Sequence, residues 1–243
     1  MGLDKRAIAS SLAPYPDDLA LTERVAATHP EVVAILEDFV VRRPHLAYLA
    51  PTLCRVICAL IRCYDRGGTL FLCGNGGSFA DSVHIAGELL KSFERDRSLT
   101  SEQKAKFAGL PDAEALTTHL EQGLRAYALG NSNPLATAIQ NDNKLRDIHY
   151  AQDLFAMGRP GDVLLGISTS GNATNVLYAL QVGKALGMTT IGMTGENGGK
   201  LAAMADIAIK APGTVTKYVQ EDHFPTYHAI CAMIEAYYFP KPR

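Results

Sequence analysis

The sequence predicts an α/β protein with a parallel sheet that is covered by helices on both faces. Short apolar segments at residues 69–73, 162–167, 189–194 and 207–210 have the length and composition of buried strands, and segments with helical periodicity alternate with them. This alternation favours a parallel sheet, because a helix is the usual crossover between two parallel strands. Ligands of such folds bind beyond the carboxyl ends of the strands, so the turns that follow the strands are the candidate functional segments.

Helical segments are predicted from residue 29 onward. Apolar residues recur at three- and four-residue steps up to Tyr64, and the run at residues 65–68 (DRGG) ends that helix, since glycine tolerates the backbone conformation of a helix end. Further helices are predicted from the first polar turn through Leu90, at residues 174–186, from about residue 198, and at residues 224–239.

The chain divides into an N-terminal arm, residues 1–28, and one domain, residues 29–243. The arm is predicted to be a short helix or an extended segment that packs on a partner subunit. Residues 94–121 are polar and predict a largely helical insertion in the domain. The charged run at residues 94–97 (ERDR) is interpreted as a solvated face.

Composition narrows the functional classes. The 243 residues are 47% hydrophobic and 20% charged, which is enough for one sizeable core. With a net charge of -2 and a pI near 6.4, the protein has no positive electrostatic potential that would attract nucleic acid or an anionic membrane. Five cysteines without a CxxC pair are typical of buried, reduced thiols. We therefore expect a cytoplasmic protein that is neither secreted nor membrane-spanning and that binds no nucleic acid.

A glycine-rich turn follows the first strand and opens a helix. Asn75, Gly76, Gly77 and Ser78 would present backbone N–H groups and the positive end of the helix to an anion. A dinucleotide site would need glycine where Phe79 stands, and the lysine of a P-loop is missing, so no nucleotide cofactor is predicted. A ligand-binding loop and a tight structural turn both remain open for this motif.

A hydroxyl-rich turn follows the second apolar strand. Ser168, Thr169 and Ser170 precede a predicted helix, and a single hydroxyl would be enough to cap it. Three hydroxyl groups together suit the oxygens of a phosphate monoester. We favour phosphate binding over capping alone.

Four further side chains have the chemistry of a catalytic or metal site. His84 and Glu88 are four residues apart and share one face of a helix, while Gln220 and His228 bracket the start of the last predicted helix. They form one set only if the fold brings them together. Asp142 either orients a substrate hydroxyl or starts a helix as its N-cap. The other histidines are interpreted as structural or surface residues: His29, His45, His119, His149 and His223.

Four segments occur in an order and spacing that resemble a known family. They are LFLCGNGGSFADSVHIAGELL, GDVLLGISTSGNATNVLYAL, MTGENGGKLAAMADIAI and VQEDHFPTYHAICAMIE. Together they resemble the signature segments of phosphoheptose isomerases, which belong to the sugar isomerase (SIS) superfamily. The resemblance covers most of the chain from about residue 31 onward.

The resemblance implies a flavodoxin-like sheet of five parallel strands, a homotetramer, and active sites at subunit interfaces. The implied activity is an aldose-ketose isomerisation of sedoheptulose 7-phosphate to D-glycero-D-manno-heptose 7-phosphate through an enediolate. Two alternatives remain. One is a non-catalytic SIS protein that binds a phosphosugar or acts as an adaptor, like the replication-initiator-associating relatives, and the other is an isomerase of another sugar phosphate.

The resemblance also assigns roles to individual residues. Glu88 and His228 are implied as the catalytic pair, with Glu88 as the base at carbon and His228 as the acid or base at oxygen. Phosphate and substrate contacts are implied for Asn75, Gly76, Gly77, Ser78, Asp142, Ser168, Thr169, Ser170 and Gln220. The implied ligands of a zinc ion are His84, Glu88, Gln220 and His228, and a metal-free acid-base cluster is the alternative.

The chain departs from the family pattern at four places. Ala173 stands where the family usually has a serine, and the Lys91-Ser92 pair stands where it has an arginine. The insertion after Glu88 is longer than usual. Pro225 falls between Gln220 and His228 and is expected either to sit in the first turn of the last helix or to shift its pitch.

Overall fold

Five parallel strands form the centre of the computed structural model, which describes residues 3–131 and 133–241. The strands are β1 (Leu70–Gly74), β2 (Ala126–Ala128), β3 (Val163–Ile167), β4 (Thr189–Thr194) and β5 (Ile207–Lys210). Their spatial order is β2-β1-β3-β4-β5, and each neighbouring pair is parallel. This is the flavodoxin-like order, in which the direction of winding changes between β1 and β3. The predicted fold class is confirmed.

Helices precede, connect and follow the strands. The N-terminal helices are α1 (Lys5–Leu12), α2 (Pro16–Thr28), α3 (Pro30–Arg42) and α4 (Ala50–Tyr64), with a 3-10 segment at Pro44–Leu49. After β1 come α5 (Gly77–Leu90), α6 (Ser101–Ala105) and α7 (Ala113–His119). After β2 come α8 (Asn133–Asp142), a 3-10 turn at Arg146–Ile148, and α9 (His149–Met157). The remaining helices are α10 (Thr174–Ala185), α11 (Gly199–Met204) and α12 (Thr216–Tyr238).

The sheet is buried on both faces. Leu70 and Leu72 pack into a core with α4, α5 and α12, whereas Phe71 and Cys73 pack into a second core with α9 and α10. Successive residues of a strand point to opposite faces, so a strand covered on both sides is apolar throughout. This explains why continuous apolar runs predicted the strands.

The N-terminal arm packs on its own chain. Helices α1 and α2 lie against α4, and Leu12 is fully buried there. Asp18 joins α2 to α4 through ion pairs with Arg55 at 3.2 Å and Arg62 at 2.6 Å. A contact of this arm with a partner subunit stays a prediction.

The segment Pro44–Tyr64 is apolar and long enough to cross a membrane by length and composition alone. It includes α4, which packs against the sheet beside β3 and β5, and 67% of its most apolar window is buried inside the fold. A core helix needs the same composition, so the burial accounts for the apolar character of this segment.

Residues 94–121 form an excursion between α5 and β2, and the two ends of this segment pair with each other at its neck. An antiparallel bridge pairs Ser98 with Glu121, and the Glu121 carboxylate accepts hydrogen bonds from the backbone N–H and the hydroxyl of Ser92 at 2.8 and 2.7 Å. Helices α6 and α7 lie in the loop that this neck closes, and no residue of either helix is buried. The excursion contains helices, as predicted, but they account for only 12 of the 28 residues at 94–121, so it is not largely helical.

Two sequence expectations about the fold are wrong. Helix α12 begins at Thr216 rather than near residue 224, so Pro225 lies inside the helix and not in its first turn. The charged run at residues 94–97 is not a solvated face throughout, because Arg97 is only 1% exposed. Its guanidinium is paired with Glu235, which compensates for the cost of burying the charge.

Candidate active site

The glycine-rich loop joins β1 to α5. Gly76 has a φ of 55°, a conformation that favours glycine, and it is the N-cap of α5 without any side-chain cap. Ser78 lies in the first turn of the helix and is 4% exposed. A Cβ on Gly77 would come within 2.5 Å of Nε2 of Gln220, so the loop is packed closely against α12. The start of α5 is thus a helix N-terminus of the kind that favours anions.

The hydroxyl-rich loop lies beside the glycine-rich loop. Gly74 of β1 pairs with Ile167 of β3, so both loops leave the carboxyl edge of the sheet at the change of winding direction. The N-cap of α10 is Ala173, and no side chain caps this helix. The hydroxyl groups of residues 168–170 therefore do not serve as its cap. Ser168 is buried and Ser170 is exposed.

A pair of amide side chains connects the two loops. Asn75 and Asn175 exchange two hydrogen bonds of 2.8 Å, and the Oδ1 of Asn175 also accepts the backbone N–H of Val176 at 3.0 Å. His149 lies beside this pair, with its Nε2 3.4 Å from Nδ2 of Asn175. Burial lowers the pKa of His149, which is partly buried and packs on Tyr150. The amide pair fixes the relative position of the two loops.

Three of the four proposed metal ligands converge further along α5. Nε2 of His84 lies 3.0 Å from Oε1 of Glu88, and the imidazole rings of His84 and His228 are 5.1 Å apart and nearly perpendicular. One ligand atom from each of these residues lies within 4.8 Å of the other two. We call His84, Glu88 and His228 the α5–α12 triad. All three residues are partly buried.

The triad contains an unsatisfied donor or acceptor. Nε2 of His228 is buried and has no hydrogen-bond partner among the residues that the structure describes. Two imidazoles and a carboxylate are donors that zinc accepts, and a buried polar atom without a partner is uncommon in a folded protein. The donor set therefore fits a divalent metal ion.

Helix α12 supports the triad through Tyr227. The Tyr227 hydroxyl lies 3.1 Å from Nδ1 of His84 and donates to Oδ1 of Asp81 at 3.3 Å. Burial raises the pKa of Asp81, and burial followed by the nearby Asp81 raises the pKa of Tyr227. Burial, followed by the neighbouring His84, lowers the pKa of His228. The lowered pKa favours the neutral imidazole of His228.

Gln220 is placed differently from the triad. It lies on α12 about 12 Å along the helix axis from His228, since each residue advances the helix by about 1.5 Å. Its amide lies against Gly77 at the start of α5. The structure therefore brings together three of the four proposed ligands and holds the fourth at the glycine-rich loop.

Asp142 is the last residue of α8 and is exposed. Its Oδ1 accepts a hydrogen bond from Nδ2 of Asn141 at 2.8 Å. The alternative that Asp142 starts a helix as its N-cap is wrong, because it stands at the opposite end. Its role toward a substrate hydroxyl stays a prediction.

A cleft of about 240 Å³ opens beside His228. It lies between α3, α12 and the start of the excursion, with Phe93 and Phe224 among its apolar walls and Arg42, Arg43 and Glu94 among its charged residues. A second cavity, of about 260 Å³, lies among the N-terminal helices. Its lining is mostly aliphatic, so it does not suit a sugar phosphate.

The sheet order and the two polar loops define the class of the protein. A family model described as "SIS domain" matches residues 123–195, which include β2, β3 and the hydroxyl-rich loop. Residues 123–195 therefore match the SIS class that the sequence predicted.

The relatives identify the family within this class. The chain is 37% identical to a phosphoheptose isomerase of Crocosphaera subtropica over 195 residues, which cover 79% of the chain and 87% of that protein. It is 33% identical to a phosphoheptose isomerase of Burkholderia pseudomallei over 221 residues, which cover 91% of the chain and 95% of that protein. The solved phosphoheptose isomerase of Neisseria gonorrhoeae superposes with a TM-score of 0.62 at 31% identity, covering 88% of the chain and 99% of that structure. The chain belongs to the phosphoheptose isomerase family.

Sequence reasoning missed three features of the site. They are Asn175 and its pairing with Asn75, the contact of His149 with this pair, and the support from Tyr227, although the packing of His149 on Tyr150 is compatible with its interpretation as a structural residue. Asn75 and Asn175 are 100 residues apart in the sequence, so no local pattern indicates that their side chains pair. Only the position of Tyr227 directly before His228 could have suggested a supporting role.

Proposed function

We propose that this chain interconverts sedoheptulose 7-phosphate and D-glycero-D-manno-heptose 7-phosphate. The observation that carries the proposal is the α5–α12 triad, in which a carboxylate and two imidazoles converge in a partly buried site. A protein that only binds a phosphosugar does not need an acid-base pair. The relatives named as phosphoheptose isomerases support the choice of a seven-carbon substrate.

The reaction moves a proton between adjacent carbons of the open-chain sugar. Glu88 removes the proton from the carbon beside the carbonyl, which gives an enediolate, and returns a proton to the neighbouring carbon. His228 exchanges the proton on oxygen. The lowered pKa of His228 supports this assignment, since a neutral imidazole accepts a proton from one oxygen and gives it to the next.

The phosphate end of the substrate is assigned to the two loops at the carboxyl edge of the sheet. The hydroxyls of Ser78, Ser168, Thr169 and Ser170 and the backbone of Gly76 and Gly77 bind its oxygens, with Asn75 beside them. Three features support this: the loops are adjacent, α5 and α10 begin there, and no hydroxyl caps α10. Asp142 orients a substrate hydroxyl.

A zinc ion is assigned to His84, Glu88 and His228, with Gln220 as the fourth ligand. The chemistry of the donor set and the buried, unpartnered Nε2 of His228 support a metal there. When bound, zinc supplies a Lewis acid that polarises the substrate carbonyl and its enediolate. Gln220 reaches this site only if its side chain turns away from Gly77.

The proposed assembly is a homotetramer with active sites at subunit interfaces, in the cytoplasm. Ser78 and Glu88 are about 15 Å apart along the axis of α5, which supports completion of each site by a second subunit. Five free, buried cysteines support a reducing compartment. The excursion at residues 94–121 acts as a cover of the site or as an added subunit contact.

A panel of five-, six- and seven-carbon sugar phosphates tests the activity. Purified protein is incubated with each compound, and the aldose and ketose forms are followed by NMR. We expect the fastest conversion with sedoheptulose 7-phosphate. Faster conversion of a shorter sugar would reassign the substrate, and binding without conversion of any sugar would favour a non-catalytic phosphosugar-binding protein.

A further inference from the structure

We propose that Arg97 and Glu235 are positioning residues that fix the separation of Glu88 and His228, an inference that rests on the proposed function of the α5–α12 triad. The two residues form an ion pair with both side chains fully buried. Arg97 lies in the segment that follows α5, and Glu235 lies on α12.

Arg97 binds the last turn of α5. Its Nη1 donates to the carbonyl oxygen of Leu89 at 2.7 Å, and its Nη2 donates to the carbonyl oxygen of Glu88 at 3.2 Å. The last carbonyls of a helix have no partner within the helix, and a cation at this end also opposes the helix dipole. Arg97 therefore holds the backbone of Glu88 itself.

Glu235 connects α12 to Arg97 and to the backbone at residues 93–94. Its Oε1 accepts the Nε–H of Arg97 at 2.8 Å and the backbone N–H of Phe93 at 2.8 Å, and its Oε2 accepts the backbone N–H of Glu94 at 2.8 Å. Both carboxylate oxygens are thus satisfied without water. Glu235 stands on α12 about two helical turns beyond His228.

These hydrogen bonds connect three chain segments: the last turn of α5, residues 93–97, and α12. We call this set of contacts the joint. The guanidinium fork of Arg97 is planar and presents its donors in fixed directions, so α5 cannot slide along α12 without breaking at least one bond. Glu88 lies on α5 and His228 lies on α12, so these bonds connect the two helices that carry them. A small shift of one helix would separate the carboxylate from the imidazole, and misplacement by about 1 Å is enough to slow catalysis strongly.

A contribution to stability and a positioning role predict different outcomes when both charges are removed. Replacing a buried ion pair by uncharged residues often costs little stability, whereas removing a single partner is strongly destabilising. A double substitution therefore separates positioning from folding. Arg97→Met with Glu235→Gln removes both charges and keeps an amide oxygen as acceptor for the N–H of Phe93.

The neighbouring ion pair supplies the matched control. Arg95 pairs with Glu31 of α3 and also reaches the carbonyl oxygen of Phe239, so this pair ties the same segment to the fold without touching α5. The control variant is Arg95→Met with Glu31→Gln. Both double variants are compared with the wild-type protein in thermal unfolding, in kcat and KM, and in the imidazole NMR signals of His84 and His228 without metal or substrate.

We expect the Arg97/Glu235 double variant to fold, to lose at least tenfold in kcat, and to keep its KM within about twofold, because the phosphate loops are untouched. Its His84 and His228 signals should shift or broaden, whereas the control variant should match the wild-type protein in all readouts. A folded Arg97/Glu235 variant with wild-type kcat and wild-type imidazole signals would overturn the inference.

The test also covers a double variant that does not fold and a wild-type protein that shows no activity. If the double variant does not fold, Arg97→Lys decides, because lysine keeps the charge but cannot hold Leu89, Glu88 and Glu235 in one planar fork. We expect a lower kcat and shifted imidazole signals in Arg97→Lys, and wild-type values in both would reject the positioning role. If the wild-type protein converts no sugar phosphate, the proposed function fails, and the imidazole signals still decide whether Arg97 and Glu235 position the triad.

Discussion

Nε2 of His84 lies 3.0 Å from Oε1 of Glu88, one helical turn further along α5. The Tyr227 hydroxyl donates to Asp81, so its oxygen is available to accept a hydrogen bond from an N–H at Nδ1 of His84. In the tautomer with its proton on Nδ1, the lone pair of Nε2 faces the carboxylate. A divalent metal ion held by both groups satisfies this arrangement, in agreement with the donor set of the α5–α12 triad.

Glu88→Gln is expected to reduce kcat by about 10²- to 10⁴-fold, the usual contribution of a general acid-base group, because an amide cannot remove a proton from carbon. Steady-state kinetics with sedoheptulose 7-phosphate measure the effect. Glu102→Gln, which changes an exposed carboxylate on α6, is the control. A Glu88→Gln protein with more than a tenth of the wild-type kcat would exclude Glu88 as the base.

Metal content is expected to depend on the triad. Protein purified without chelator should contain about one zinc ion per chain by elemental analysis, and His84→Ala and His228→Ala should each lose it, because three protein ligands are the usual minimum for a zinc site. His119→Ala, at an exposed histidine of α7, should retain the metal. Chelation followed by return of zinc should remove and restore activity. Full activity in demonstrably metal-free protein would rule out a catalytic metal.

Ser168→Ala combined with Ser170→Ala is expected to raise KM. Each hydrogen bond to a charged oxygen contributes about 1.5 to 3 kcal/mol, which corresponds to roughly a ten- to hundredfold effect per bond. Thr118→Ala, which removes an exposed hydroxyl on α7, is the control. An unchanged KM in the double variant would remove these serines from the phosphate site.

The closed neck of the excursion allows a clean deletion. Ser98 and Glu121 already form an antiparallel pair, so residues 99–120 can be replaced by a two-residue Asn-Gly turn. The buried Arg97 and Glu235 pair is retained. We expect altered turnover or a lower oligomeric mass, measured by kinetics and by light scattering. If both match the wild-type protein, the excursion neither covers the site nor joins subunits.

Much of the fold could be predicted from the sequence because its strands are continuous apolar runs. Strands β4 and β5 have the predicted bounds, β3 starts one residue later than predicted, and β1 is shifted by one residue at both ends. Strand β2 is not predicted from the residues themselves, because it is an edge strand of only three residues, Ala-Tyr-Ala, that pairs with β1. The start of α12 was missed because residues 216–224 are polar, and packing of the buried Val219 and His223 makes them helical.

The site was predictable only where its residues are close in sequence. The four-residue spacing of His84 and Glu88 correctly places both on one face of α5. Arg97 lies 138 residues from Glu235, and a run of alternating charges is usually exposed, so the sequence gives no sign of this buried pair. The position of Gln220 at Gly77 likewise depends on how α12 packs on α5.

The most direct test of the central claim is isomerisation of sedoheptulose 7-phosphate in D₂O, followed by NMR. Proton transfer through an enediolate by Glu88 predicts that the aldose appears and that deuterium enters at the carbon beside the carbonyl, because the base exchanges its proton with solvent. Glu88→Gln should show neither the aldose nor the deuterium. No conversion and no deuterium incorporation by folded wild-type protein, supplied with zinc, would contradict the account.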